Sequence, residues 1–195
     1  DDALAVLRSA PDAALSTAFD WLMKAEVEPS RSKEVVQALQ SRKEATGAGF
    51  HWYLSQPLAR WAGSKEHVAI LVQMAGDRTD RARAEALQHL IRLDAEKAID
   101  LVDAKSDDTF LRMFFAQTLQ GMGSEGEAIA LRLLSGEKQE VIALGLQFLR
   151  TSGTPKAIPQ IQQLAQKAQK NNWTLIQMQA KSAIRMIESR ASGSR

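Results

Sequence analysis

The chain has 195 residues, 45% of them apolar, a formal net charge of +2 and no cysteine. That length and apolar content suffice for one sizeable domain or a short repeat array. The absence of cysteine excludes disulfides, thiolate metal sites and a cysteine nucleophile, and no apolar run approaches the roughly 18–20 residues that span a bilayer.

The chain opens Asp1-Asp2, with no Met and no signal-peptide pattern, and reads as a piece of something longer. Residues 1–46 predict three helices forming an N-terminal cap. Asp12, after Pro11, is expected to cap a helix over Ala13–Glu26 with Leu15, Phe19 and Leu22 on one face. Pro29-Ser30 breaks it, and a further helix from Ser32 to about Ala45 presents Val35, Val36 and Leu39. Thr46-Gly47-Ala48-Gly49 reads as a linker. Helix pairs are then predicted over 50–62 and 65–75, 79–93 and 95–104, 108–121 and 125–135, and 138–151 and 155–169. A last helix is predicted over 173–190, followed by a disordered tail at 191–195.

Local signals support these boundaries. Ser124 with Glu127 reads as a capping box, and Thr154-Pro155 places proline at a first helical position. Asp77, Asp94 and Asp107 lie near other helix starts, and Asn171 or Asn172 is expected to cap the last helix. Pro57 is expected to interrupt its helix, and Pro159 to kink its helix or delay its start.

The pairs repeat. Breakers at Gly63, Asp94, Gly123 and Gly153 are spaced by 31, 29 and 30 residues. Four residues before each stand Ala59, Leu90, Leu119 and Leu149; eight before stand Ser55, Ala86, Phe115 and Gly145. Seven before are Gln56, Leu87, Ala116 and Leu146, and these three positions share one face of a helix. After the breakers come Val68-Ala69, Ala98-Ile99, Ala128-Ile129 and Ala157-Ile158, with Gly126 adding a residue to its unit. A fixed period of about 30 with two helices per unit marks an all-α helical solenoid, in which neighbouring pairs stack to bury what one pair cannot.

The run Asp107, Leu111, Arg112, Ala116, Leu119, Gly123 resembles a HEAT repeat, in the short variety found in phycobilin lyases and bacterial scaffolds. The resemblance covers about residues 49–190 and implies an α-solenoid of stacked antiparallel helix pairs over 47–190. It further implies a non-catalytic scaffold that binds a protein or peptide on a concave face lined by the second helix of each pair. Polar positions there are Lys65, Glu66, Gln73, Glu96, Asp100, Asp103, Arg132, Gln160 and Gln163.

Rival chemistries find little. Gly121-x-Gly123-x-x-Gly126 matches a dinucleotide fingerprint as a string, but a predicted helix stands where a strand is needed. His51, His67 and His89 have no zinc-ligand spacing, and no Gly-x-Ser-x-Gly elbow occurs, so no metal, cofactor or catalytic site is expected. Asp100 and Asp103 read as a solvated helix face, and Asn172-Trp173-Thr174 as a chance sequon. Trp21, Trp52, Trp61 and Trp173 are expected to pack, with an exposed Trp52-Tyr53 as the alternative binding anchor. Residues 151–195 carry a net charge of +6, which makes nucleic acid the rival partner. Against it, residues 1–150 sum to −4, whereas a duplex needs a continuous basic groove.

Overall fold

The computed structural model describes residues 2–46 and 51–193, with the side chains of 51, 52 and 193 outside that description. Gly47 to Gly49 of the expected linker and residues 194–195 of the expected tail lie outside it as well. Among the described residues every regular element is helical and there is no strand, so the protein is all-α. Two compact units divide it, residues 1–98 and 99–195.

The first unit contains α1 (Asp2–Ser9), α2 (Leu15–Lys24), α3 (Pro29–Ala45), α4 (His51–Trp61), α5 (Val68–Gly76), α6 (Arg83–Leu93) and the start of α7 (Ala95–Ala104). The N-terminal helices expected as a cap pack directly on the first predicted pair, α3 and α2 both lying against α4. Leu15, Leu39, Leu54, Leu71, Leu87 and Leu90 are fully buried. The end of α4 is tied down by polar bonds as well. The Trp61 indole donates to the Leu22 carbonyl at 3.1 Å, and the Ser32 hydroxyl donates to the Trp61 carbonyl at 2.7 Å.

Two expectations fail here. Pro57 does not interrupt α4, which runs through it. A proline in a helix interior costs about 3 kcal/mol, but Leu54, Leu58, Ala59, Trp61 and Ala62 around it are all buried. Burial of a large apolar side chain contributes about 1.5–3 kcal/mol, so packing outweighs the lost hydrogen bond. Asp12 does not cap α2 either. It sits in a 3-10 turn at 12–14, and its carboxylate accepts from the Arg42 guanidinium at 2.6 Å.

The second unit contains the rest of α7, then α8 (Thr109–Gln120), α9 (Ser124–Leu133), α10 (Gln139–Ser152), α11 (Ile158–Lys170) and α12 (Thr174–Gly193). Its centre is α10, which packs on α8, α9 and α12, while α12 also lies along α11. Val141, Ile142, Leu146, Phe148 and Leu149 of α10 are buried, while Gln139, Glu140, Gln147, Arg150, Thr151 and Ser152 are exposed. Helix α12 continues to Gly193, through residues expected in a tail.

The repeat register is visible in burial. Ala59, Leu90, Leu119 and Leu149 are each 0% exposed. Of the positions eight before the breakers, Ser55, Ala86, Phe115 and Gly145 are all buried. Those seven before differ: Leu87 and Leu146 are buried, Ala116 is half-buried and Gln56 is exposed. After the breakers Ala98 and Ala157 are buried, but Ala128 is exposed and Ile129-Ala130 take the core instead. The stripe there stands one residue late, as the additional Gly126 requires. Gly126 is itself a point of close approach, since a Cβ on it would lie 2.5 Å from the Leu119 carbonyl and 3.0 Å from the Phe148 ring.

Helix ends are satisfied less locally than the sequence suggests. Gly123, with φ +57°, takes the cap position of α9, so Ser124 is already helical and the expected capping box does not form. The Glu127 carboxylate instead accepts from the backbone and hydroxyl of Thr154, both at 2.9 Å. Asp108, not Asp107, caps α8 through the Leu111 amide at 3.2 Å. Asp94 and Asp77 do bond nearby amides, of Lys97 at 3.1 Å and Thr79 at 2.8 Å. Asn172 adopts φ +57° before α12, and Pro159 sits in the first turn of α11 after a 3-10 turn at 155–157. The carbonyls at the end of α10 are covered from afar: the Arg190 guanidinium donates to Arg150 at 2.6 Å and Gly153 at 2.8 Å.

Two substitutions check this packing. Leu119→Asp buries an unpaired carboxylate and should lower stability by several kcal/mol, read as the midpoint of urea unfolding. Arg190→Met keeps the stem but removes the charged donors, and should lower the melting temperature by several degrees. A parent-like midpoint for Leu119→Asp would place the repeat register wrongly.

Candidate partner-binding groove

The nine polar positions expected to line a binding surface are divided between the units. Lys65, Glu66, Gln73 and Glu96 lie in the first and are exposed; Asp100, Asp103, Arg132, Gln160 and Gln163 lie in the second. Asp100, Arg132 and Gln163 are exposed there, but the other two are engaged in the fold. The Asp103 carboxylate is 3.9 Å from the Lys138 ammonium, which also donates to the Asp103 carbonyl, and Gln160 donates to the Leu131 carbonyl at 2.8 Å.

The aromatic residues divide too. Trp61 is buried as expected, but Trp21 is 42% exposed rather than packed. Trp173 is half-buried, with the Lys167 ammonium 5.5 Å from its ring centroid. Trp52 falls outside the described side chains, and Tyr53 is half-buried, edge-on to Phe19 at 5.8 Å.

Each unit carries a concavity large enough for a ligand. In the first unit a polar cavity of about 600 Å³ is lined in part by Gln73, Ser55, Lys43, Asp77 and Asp80. Most of its charge is already matched: Lys43 contacts the buried Asp80 carboxylate at 2.5 Å. Asp77 accepts from the backbone and hydroxyl of Thr79, and these bonds hold its carboxyl below the usual aspartate value.

The second unit carries an open groove of about 1140 Å³ between α8, α10 and α12. Met113 from α8 and Leu175 and Met178 from α12 are 55%, 61% and 63% exposed at its walls. Arg112 and Gln117 from α8, Gln147 and Arg150 from α10 and Gln179 from α12 give it a polar rim. None of the nine expected residues lines this groove, which is built from the first helices of two predicted pairs together with α12. Its source is the helical period. Ile176, Ala180, Ala183 and Ile187 form the buried stripe of α12, leaving Leu175 and Met178 off that face. The sequence does carry a signal for this, because α12 has more large apolar residues than one stripe can bury.

Among the described residues no group of three or more His, Asp and Glu could hold a metal ion. His67 is buried in the first unit with no partner for Nε2, and His89 is half-buried there. The Gly121–Gly126 string follows helix α8, so it lacks the strand that a dinucleotide cradle requires. Against protein-family models, curated proteins and solved structures the chain finds no match.

His89 nevertheless bears on stability. It lies 3.9 Å from the Glu85 carboxylate, yet burial, then Arg92 and Arg60, holds its pKa below the usual 6.5. As pH falls below about 6.5 the unfolded chain therefore takes up a proton that the folded protein refuses, and stability declines with acid. Glu85 is shifted upward by burial and acts in the opposite sense, in the window above its ordinary 4.5. His89→Gln should flatten the acid-side decline between about pH 7 and 5.5, measured by denaturant titration.

Proposed function

We propose that the protein is a non-catalytic interaction module of the HEAT-like kind, taking a peptide segment of a protein partner in the groove between α8, α10 and α12. The observation that carries this reading is the cluster of Met113, Leu175 and Met178, each more than half exposed along one concavity. Large apolar side chains grouped at a polar-rimmed surface mark interaction sites, whereas scattered ones mean nothing. Methionine suits the role, because its flexible thioether side chain adapts to the shape of a partner. The repeat assignment is supported by the spacing of 31, 29 and 30 residues and by full burial four residues before every breaker.

The nucleic-acid alternative is weaker than the charge of residues 151–195 suggests. Arg190 is engaged with the end of α10, and Lys167 lies over Trp173. Cations held in this way are less available to phosphates.

A photo-crosslinking residue placed at Met178 tests the reading, with Gln163 on the exposed side of α11 as the comparison site. In cells that make the protein, the Met178 position should yield discrete protein adducts and Gln163 few. Protein adducts from Gln163 alone would move the site to the second helices, and nucleic-acid adducts from either would favour the rival partner.

A further inference from the structure

We infer that the groove of the second unit takes an amphipathic α-helix whose flank carries a carboxylate, held by Arg112 and Arg150. This rests on the reading of the groove as an interaction site and adds the form and charge of its occupant.

Form follows from what the groove lacks. Peptides are bound by adding a strand to a sheet edge, by laying a polyproline helix across aromatic rings, or by burying an amphipathic helix in an apolar groove. The described residues contain no strand, so there is no edge to extend. No Trp, Tyr or Phe lines the groove, so the aromatic ladder that a polyproline helix needs is missing. What remains is a trough between helices walled by Met113, Leu144, Leu175 and Met178, suited to apolar residues spaced three and four apart.

Charge follows from the rim. Arg112, Arg150 and Glu140 are its ionic side chains, a balance of one positive charge. The helical period continues the α12 wall from Met178 and Ser182 to Arg185, which is exposed. Arg112 is only partly committed within the fold. Arg112 donates to the Thr109 hydroxyl at 3.3 Å through Nη2, but its Nε is buried and has no acceptor. A guanidinium donates to a carboxylate through two parallel bonds, the strongest pairing open to it. Two guanidinium groups against one carboxylate on the rim favour an occupant that supplies an acidic group over one that supplies a basic one.

The test uses the whole chain and three synthetic peptides of about 18 residues, long enough for roughly five helical turns. All are amphipathic: one carries Leu on its apolar face and Glu on the flank, the second Lys in place of Glu, and the third the Glu composition in scrambled order. Binding is read by fluorescence anisotropy, and the bound form by circular dichroism of the peptide. The Glu peptide should bind and gain helix, about tenfold or more tighter than the Lys peptide, with the difference shrinking as salt rises. Arg150→Glu should abolish that preference, and Met178→Glu should weaken both ordered peptides. Both positions are exposed, so the variants should fold like the parent.

Equal or tighter binding of the Lys peptide, unaffected by Arg150→Glu, would overturn the inference while leaving the groove an interaction site. Binding of the scrambled peptide as tightly as the ordered one would overturn the helical form. Failure of every peptide, with Met178 still cross-linking to protein in cells, would also refute the helical occupant and leave the broader reading intact. Cross-linking of Met178 only to a second copy of the chain, with a dimer in solution abolished by Met178→Glu, would assign the groove to self-association instead.

Discussion

Most helices here have between 8 and 14 residues, and isolated helices of that length are marginal in water. Each therefore persists only while its apolar stripe is pressed against neighbours. Helix α10 has neighbours in α8, α9 and α12 and seven buried residues in fourteen. Everything else in the second unit is arranged around that requirement. Gly126 lets α9 approach the Phe148 ring, and a side chain there would collide with it. The same constraint in the first unit explains Pro57, because the stripe through Leu54, Leu58 and Ala62 holds α4 together past a residue that ordinarily breaks a helix.

Short helices also have many ends, and each end exposes backbone groups that need partners. The chain meets part of that need across distance. Glu127 serves Thr154, Arg190 serves the last carbonyls of α10, and Ser32 serves the carbonyl of Trp61. These bonds link a helix end to a helix some 27 to 41 residues away, so they fix packing as well as capping. One consequence concerns charge. Arg190 belongs to the basic C-terminal segment by composition, yet in the fold it is a structural donor, which removes it from the cations free to meet a polyanion.

The groove lies where burial is incomplete. Helix α12 buries Ile176, Ala180, Ala183 and Ile187 and leaves Leu175 and Met178 beyond the edge of that stripe. Met113 of α8 lies in the same concavity. Hydrophobic surface of this kind lowers solubility when uncovered, and grouped with a guanidinium that lacks an acceptor at Nε it has the composition of an interface core and rim. The polar cavity of the first unit differs in kind. Its lining is polar, and its Lys43 and Asp80 already answer one another.

Much of the fold was legible in the sequence, for a physical reason. Helical period and breaker spacing are local properties, so most helix spans, the all-α class and the burial of Ala59, Leu90, Leu119 and Leu149 could be read from order alone. Caps that depend on one or two neighbouring residues were partly legible: Asp94 and Asp77 bond nearby amides, while Asp108 displaced Asp107 and Gly123 displaced the Ser124–Glu127 box. The groove was not legible, because it depends on which face each helix turns to the others. Polarity alone pointed to the second helices, and so to Asp103 and Gln160, which the fold engages in its own bonds. Only tertiary packing decided that Leu175 and Met178 fall outside the stripe of α12 and open, with Met113 and Arg112, onto one concavity. A sequence fixes the period of an apolar stripe; how wide a stripe the neighbours cover is set by the neighbours.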